Sequence, residues 1–181
     1  DILETQISTL EDEVYVDELT QINNRKRFFQ YYNAAIKSAE KNTRKTFTLA
    51  ILDVDKFKHF NDTYWHPAGD TVLKLITALI IQKIQQLRKS TALCRIWWEE
   101  FAIISRKPLK DIQQIVEQIL QTLSTKIISI PGIPKDYRLS FSVGIASYEP
   151  HMNGKHMALI ETADQRLYTA KNNWRAQICS Y

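Results

Sequence analysis

Apolar residues run almost unbroken through TFTLAILDVD (46–55) and stop at two aspartates. Such a run predicts a buried strand whose C-terminal end lies at a site. Two more apolar, β-branched segments, ALCRI (92–96) and EFAII (100–104), flank Trp97 and Trp98 and predict a β-hairpin with both tryptophans at its tip. RLSFSVGIAS (138–147) predicts a further strand. Residues 125–129 predict a short edge strand ahead of the loop IPGIPKDY (130–137). Helices are expected over about 23–40, about Thr71–Leu87, 108–124 and 156–173, with a polar turn region over Asn61–Asp70 and a short tail at the end. Taken in order, these elements imply an α+β fold, a mainly antiparallel sheet with helices on its faces.

Residues 1–16 place Leu3, Ile7, Leu10 and Val14 at a 4-3-4 spacing. The spacing fits a coiled-coil seam and equally an amphipathic helix packed on its own domain. Two heptads are too short to be stable alone, so a seam implies a partner chain or an upstream helix. The segment starts without a cap, as if cut from a longer helix. The expected organisation is a linker or coiled-coil helix over 1–16 and one domain over 17–181. A homodimer through the first helix and an upstream sensor domain go with that reading.

Composition narrows the class. The 181 residues are 44% hydrophobic and 24% charged, ordinary values for a globular protein. No apolar run reaches membrane-span length and no signal peptide opens the chain, so a cytoplasmic setting is expected, within a larger membrane-bound protein if one exists. Cys94 and Cys179 are too few for a disulfide framework and lack zinc spacing. The net charge of +4 is spread along the chain and suits a polyanionic small molecule or a plain solvated surface. Basic runs interleaved with aromatics are lacking, so nucleic-acid binding is not expected. Glycine is scarce, at 4 residues, where about 7% is usual.

The acidic residues carry the candidate chemistry. Asp53 and Asp55 lie two apart on one strand and so share a face. A carboxylate at the end of a buried run needs a partner, either a divalent cation or a lysine or arginine. Glu99 and Glu100 give the hairpin a second acidic pair. If the hairpin neighbours strand 46–55, carboxylates from two strands meet at one edge, as in a Mg²⁺–nucleotide site. Two-residue hairpin turns favour glycine or asparagine because they need positive φ, so Trp97 and Trp98 are expected to strain the turn.

Five ordered motifs then resemble one family. DELTQINNRKRF (17–28) looks like D-x-L-T-G-L-x-N-R-R-x-F, and DKFKHFNDTYWHPAGD (55–70) like D-x-F-K-x-x-N-D-x-x-G-H-x-x-G-D. RIWWEEF (95–101) aligns with R-x-G-G-[DE]-E-F, SFSVGIA (140–146) with S-x-G-I-A, and ADQRLYTAKNNWRA (163–176) with A-D-x-A-L-Y-x-A-K-x-x-G-R-N. The chain thus resembles the GGDEF domains of diguanylate cyclases over about residues 15–176. The resemblance implies a palm-like, nucleotidyl cyclase-like fold, one GTP with two Mg²⁺ per domain, and head-to-head pairing that joins two GTP into cyclic di-GMP. It implies that Asp53, Glu99 and the carbonyl of Val54 hold the metals and that Glu99 is also catalytic, with Glu100 a further acidic, catalytic member. Asn61 and Asp70 would read the guanine edge. Lys58, Lys171 and Arg175 would neutralise phosphates; by themselves the last two read as a solvated helix face. The family's product-inhibition motif R-x-x-D reads R-K-S-T here, leaving Arg88 as a remnant and Thr91 in the aspartate's place.

All four tryptophans, Trp65, Trp97, Trp98 and Trp174, stand where that pattern has glycine, and Gln21 stands at a fifth such position. Indoles at the hairpin are expected to crowd the nucleotide and obstruct head-to-head approach. The expectation is a degenerate GGDEF domain, impaired as a cyclase and acting as a nucleotide-sensing or regulatory module. An active cyclase and a structural dimerisation domain without nucleotide are the alternatives.

Overall fold

A computed structural model describes residues 14–42, 45–125, 130–173 and 175–180. The elements are α1 (Arg25–Lys41), β1 (Thr48–Val54), α2 (Phe57–Tyr64), α3 (His66–Ile84), a 3-10 turn (Gln85–Ser90), β2 (Thr91–Arg95), β3 (Glu100–Ser105), α4 (Leu109–Thr125), β4 (Phe141–Ser147), a 3-10 turn (Pro150–Met152), α5 (Ala158–Asn172) and β5 (Ile178–Cys179). One five-stranded sheet runs in the order β2-β3-β1-β4-β5. Every pairing is antiparallel except β4 with β5. The expected α+β architecture is therefore the observed one.

β1 is buried at all seven positions because it is central in the sheet and covered on both faces. Its side chains alternate between two cores. Ala50, Leu52 and Val54 join the core beneath α3 and α4. Leu49 and Ile51 join the core beneath α1 and α5. That alternation explains why the strand reads as one unbroken apolar run. α5 lies unusually close to β4, since any side chain at Gly144 would collide with the backbone of Ala163 and Leu167.

Two expectations are corrected. Asn61–Asp70 is not a polar turn region but the end of α2 and the start of α3, joined at Trp65 alone. Pro67 falls in the first turn of α3, where its missing N–H costs nothing. The tail, expected to be plain, adds the short parallel strand β5. The predicted seam over 1–16 lies outside the described residues except at its end, and so does the predicted strand at 125–129 except for Thr125, which closes α4.

Candidate active site

The site gathers where β1 and β3 end beside each other. Asp53 pairs directly with Glu100 in the antiparallel register, so both carboxylates project from the same face. The Val54 amide donates to the Glu99 carbonyl at 3.1 Å and carries the pairing one step further. The face in question is the one covered by α1 and α5. From α5, Lys171 brings its Nζ to 2.7 Å from Asp53 Oδ2. The family resemblance implies phosphates for Lys171; its partner in the structure is Asp53.

The electrostatics are those of crowded, half-buried acids. Burial pushes the Asp53 carboxyl up, Lys171 pulls it back, and Glu99 and Asp55 push it up again. Glu100 is pushed up to about 7, first by burial and then by Asp53, with Lys171 opposing. Asp164 on α5 is raised by burial alone. Asp55, the other half of the D-V-D pair, is spent elsewhere. It accepts from the Ser140 and Ser142 hydroxyls at 2.7 and 2.8 Å and from the Ala176 amide at 3.0 Å. Asp55 therefore ties β4 and the segment after α5 to the end of β1.

Among the described residues no three His, Cys, Asp or Glu side chains are grouped to hold an ion by themselves. Mg²⁺ takes one or two carboxylates and fills its shell with water and phosphate oxygens, so a pair of carboxylates at the end of β1 and β3 is a sufficient protein donor set. Two hard carboxylates that burial and mutual repulsion make reluctant to ionise are a donor set that a divalent cation would relieve.

The second part of the site lies on α2 and α3. Asn61 Oδ1 is buried and accepts no hydrogen bond. An orphaned acceptor of this kind is costly unless a ligand completes it. Gly69 makes room for it, since a methyl group there would overlap Asn61 Oδ1 and approach Phe57 Cζ to 3.1 Å. Asp70 and Lys58 are exposed on the same two helices, and Arg175 is exposed beyond the end of α5.

The hairpin tip departs from expectation. The strands are joined by four residues, Ile96–Glu99, rather than by a two-residue turn. Neither Trp97 nor Trp98 has positive φ, so the anticipated backbone strain at the tip is not there. The longer loop lets both residues stay in ordinary regions. Trp97 folds towards α1, where the Arg25 guanidinium lies 4.0 Å from its ring centre. Trp98 is 78% exposed. Strain sits instead at Trp65 (φ 71°, ψ 157°) and at Gln21 (φ 57°). Trp174 and the Arg88 side chain lie outside the described residues.

Sequence reasoning missed Arg95 as the brace of the tip. Its Nη2 and Nε donate to the Trp98 carbonyl at 2.7 and 3.3 Å, and its Nη1 to Asp17 Oδ1 at 3.0 Å. Burial works to raise the Asp17 carboxyl, but the Thr20 hydroxyl and amide and the Arg95 guanidinium outweigh it and hold it below its usual range. The matching Asp17, Thr20 and Arg95 of the motifs were the available signal.

The motif spacing, the sheet order and the paired carboxylates agree with what known proteins show. The family profile described as "Diguanylate cyclase, GGDEF domain" matches residues 14–177. The chain belongs to the GGDEF domain family of diguanylate cyclases. Diguanylate cyclase TpbB of Pseudomonas aeruginosa is 31% identical over 176 residues, covering 96% of this chain and 39% of TpbB. Diguanylate cyclase DosC of Escherichia coli is 30% identical, over 92% of this chain and 35% of DosC. This GGDEF domain thus spans less than half the length of these curated relatives. The coiled coil and GGDEF domain of DgcB from Caulobacter crescentus, solved with c-di-GMP, superposes with a TM-score of 0.89 at 27% identity, covering 99% of this chain and 92% of that one. No helix among the described residues is long and apolar enough to cross a membrane. One relative, 28% identical over 95% of this chain and 47% of its own length, is named an uncharacterized membrane protein of Staphylococcus haemolyticus.

Proposed function

We propose that this GGDEF domain binds GTP with Mg²⁺ and serves cyclic di-GMP signalling as a nucleotide-sensing or regulatory module whose cyclase turnover is impaired at the hairpin. The observation that carries the reading is Asp53, which Lys171 holds, which Glu100 faces across the paired strands and whose carboxyl the nearby Glu99 helps to push up. Asp53, Glu99 and the Val54 carbonyl would hold Mg²⁺, which neutralises charge on a transferring phosphoryl group when bound. Lys171 would then exchange Asp53 for phosphate, beside Lys58 and Arg175. The unpartnered Asn61 Oδ1 supports a base amino group as its donor, with Asp70 as the second acceptor. Impairment rests on the exposed Trp98 at the tip, where two domains must face each other to join their nucleotides.

An active diguanylate cyclase is the second reading. It is favoured by the unstrained tip and by Trp97 lying back on Arg25. Incubation with GTP and Mg²⁺ separates the two. The impaired module leaves GTP unchanged, whereas steady cyclic di-GMP production that disappears in Glu99→Ala establishes the cyclase. Calorimetry with a non-hydrolysable GTP analogue tests binding itself. Absence of heat at millimolar analogue leaves only the reading of a structural dimerisation domain without nucleotide.

A further inference from the structure

β2 is an edge strand of the sheet. The Ile96 amide donates to the Glu100 carbonyl and the Arg106 amide to the Ser90 carbonyl, so the even-numbered residues of this strand turn their backbone groups to β3. Thr91, Leu93 and Arg95 turn theirs outward. Asn23 takes up part of that edge as a single parallel bridge to Cys94. Its carbonyl accepts from the Arg95 amide at 2.8 Å, and its Nδ2 donates to the Leu93 carbonyl at 2.8 Å. The next two groups along the edge, the Leu93 amide and the Thr91 carbonyl, take no partner among the described residues.

That stretch of edge lines a cleft of about 900 Å³, within the size range of ligand sites. Tyr31 and Ala35 of α1, Ile81 and Ile84 of α3, and Phe47 give it an apolar lining. Among its described lining residues Arg106 is the one charged side chain. It is exposed and, among the described residues, its guanidinium forms no ion pair. An adjoining cleft of about 240 Å³ shares Ala35, Phe47 and Arg106 and adds Lys45. The combined surface is apolar and basic, and no acid among the described lining residues answers the two cations.

We infer that the cleft takes an extended, acidic and apolar peptide segment of a partner protein as a short parallel strand on β2. One residue placed opposite Ala92 would donate to the Thr91 carbonyl and accept from the Leu93 amide, repeating one step along the edge what Asn23 does beside Cys94. The free groups also select the direction. An antiparallel neighbour exchanges both bonds with a single residue, and the Leu93 carbonyl is already engaged. Side chains directly opposite each other share a face, so this residue would project beside Ala92 towards the core beneath α1. The residue two before it would lie on the same face beside Ser90, whose partner across β2 and β3 is Arg106. A carboxylate there meets the free guanidinium, and a branched apolar side chain two residues later fills the cleft.

Calorimetry of the nucleotide-free chain with the acetylated, amidated pentapeptide Glu-Thr-Val-Thr-Val tests the inference. N-methylation of its third residue removes the donor to Thr91 and should weaken binding at least about tenfold, whereas N-methylation of the fourth, which faces away from β2, should change it by less than about twofold. Glutamine in place of the glutamate should cost roughly two- to fivefold, and Arg106→Gln should cost as much and erase the difference between the two peptides. The reversed order, Val-Thr-Val-Thr-Glu, should bind more weakly than the parent. No binding of the parent, equal loss from the two N-methylations, equal binding of the reversed peptide, or a glutamate preference that survives in Arg106→Gln overturns the inference. Decanoate that displaces the peptide and binds as tightly would assign the cleft to an acyl anion and overturns it too. These measurements need no GTP, so their outcome and that of the nucleotide reading are independent.

Discussion

The hairpin tip and the α2–α3 junction received the same kind of residue and answered differently. At the tip, two tryptophans sit in a four-residue loop with ordinary backbone angles, one of them resting on Arg25. At the junction, Trp65 joins two helices with no spare residue and keeps φ 71°, ψ 157°, a region populated almost only by glycine. The junction backbone is pinned from both sides. The Trp65 amide donates to Asn61 at 2.9 Å, and its carbonyl accepts from Ala68 at 3.1 Å. A loop can lengthen its turn to accommodate a bulky residue, whereas a helix-to-helix joint of one residue cannot.

The comparison can be broken most directly at Trp65. The indole is 79% exposed and contributes little packing. Trp65→Gly should relieve about 1–3 kcal/mol of strain, less the roughly 0.5–1 kcal/mol entropy cost of glycine, and raise the unfolding midpoint. A fall in chemical-denaturation stability would mean that the junction is not strained. Gly69→Ala tests what the junction protects. Displacing Asn61 should cost GTP-analogue affinity roughly tenfold, in line with about 1–3 kcal/mol for a lost buried hydrogen bond, while fold stability barely changes. Unaltered affinity by calorimetry would remove Asn61 from the nucleotide site.

Beside the tip, Glu100 gives a pH signature. Its carboxyl titrates near 7 when folded and near 4.5 otherwise. Between those values the folded chain keeps a proton that the unfolded chain has lost, so stability falls as pH rises through that window. Below it the group costs nothing, and above it the cost is complete. Glu100→Gln should therefore stabilise the protein at pH 8 by about 1 kcal/mol, allowing for solvent screening, and leave pH 4 unchanged. Thermal unfolding at the two pH values reads this, and equal effects at both would clear Glu100 of strain. The smallest effect belongs to the tip. Trp98→Gly relieves no strain, and with its indole 78% exposed only the entropy cost of glycine remains, a loss of roughly 0.5–1 kcal/mol. A large gain in stability there would make tip and junction alike.

Most of the fold was legible because β1 is a central strand and its burial writes itself as an apolar run. The hairpin and the helices α1, α4 and α5 follow equally strong patterns. The junction was not legible, since N-D-T-Y-W-H-P shows no helical period and its proline reads as a breaker rather than a first-turn residue. β5 has two residues and depends on β4 for its existence. In the site, the residue types near β1 could be read from the motifs, but their partners could not. That Lys171 meets Asp53, and that Asp55 is taken up by Ser140 and Ser142, depends on how α5 and β4 dock.

Trp65 also bears on the gene. Tryptophan and glycine codons lie one base apart, and all four tryptophans of this chain fall on glycine positions of the family pattern. A backbone that still holds a glycine conformation at residue 65 is what such a chain retains if those four codons are decoded as glycine where the protein is made. The hairpin would then carry the family's own two glycines, and the impairment proposed for it would vanish. Intact-mass measurement of the protein isolated from its natural source distinguishes the two chains, because exchanging four tryptophans for glycine makes it markedly lighter.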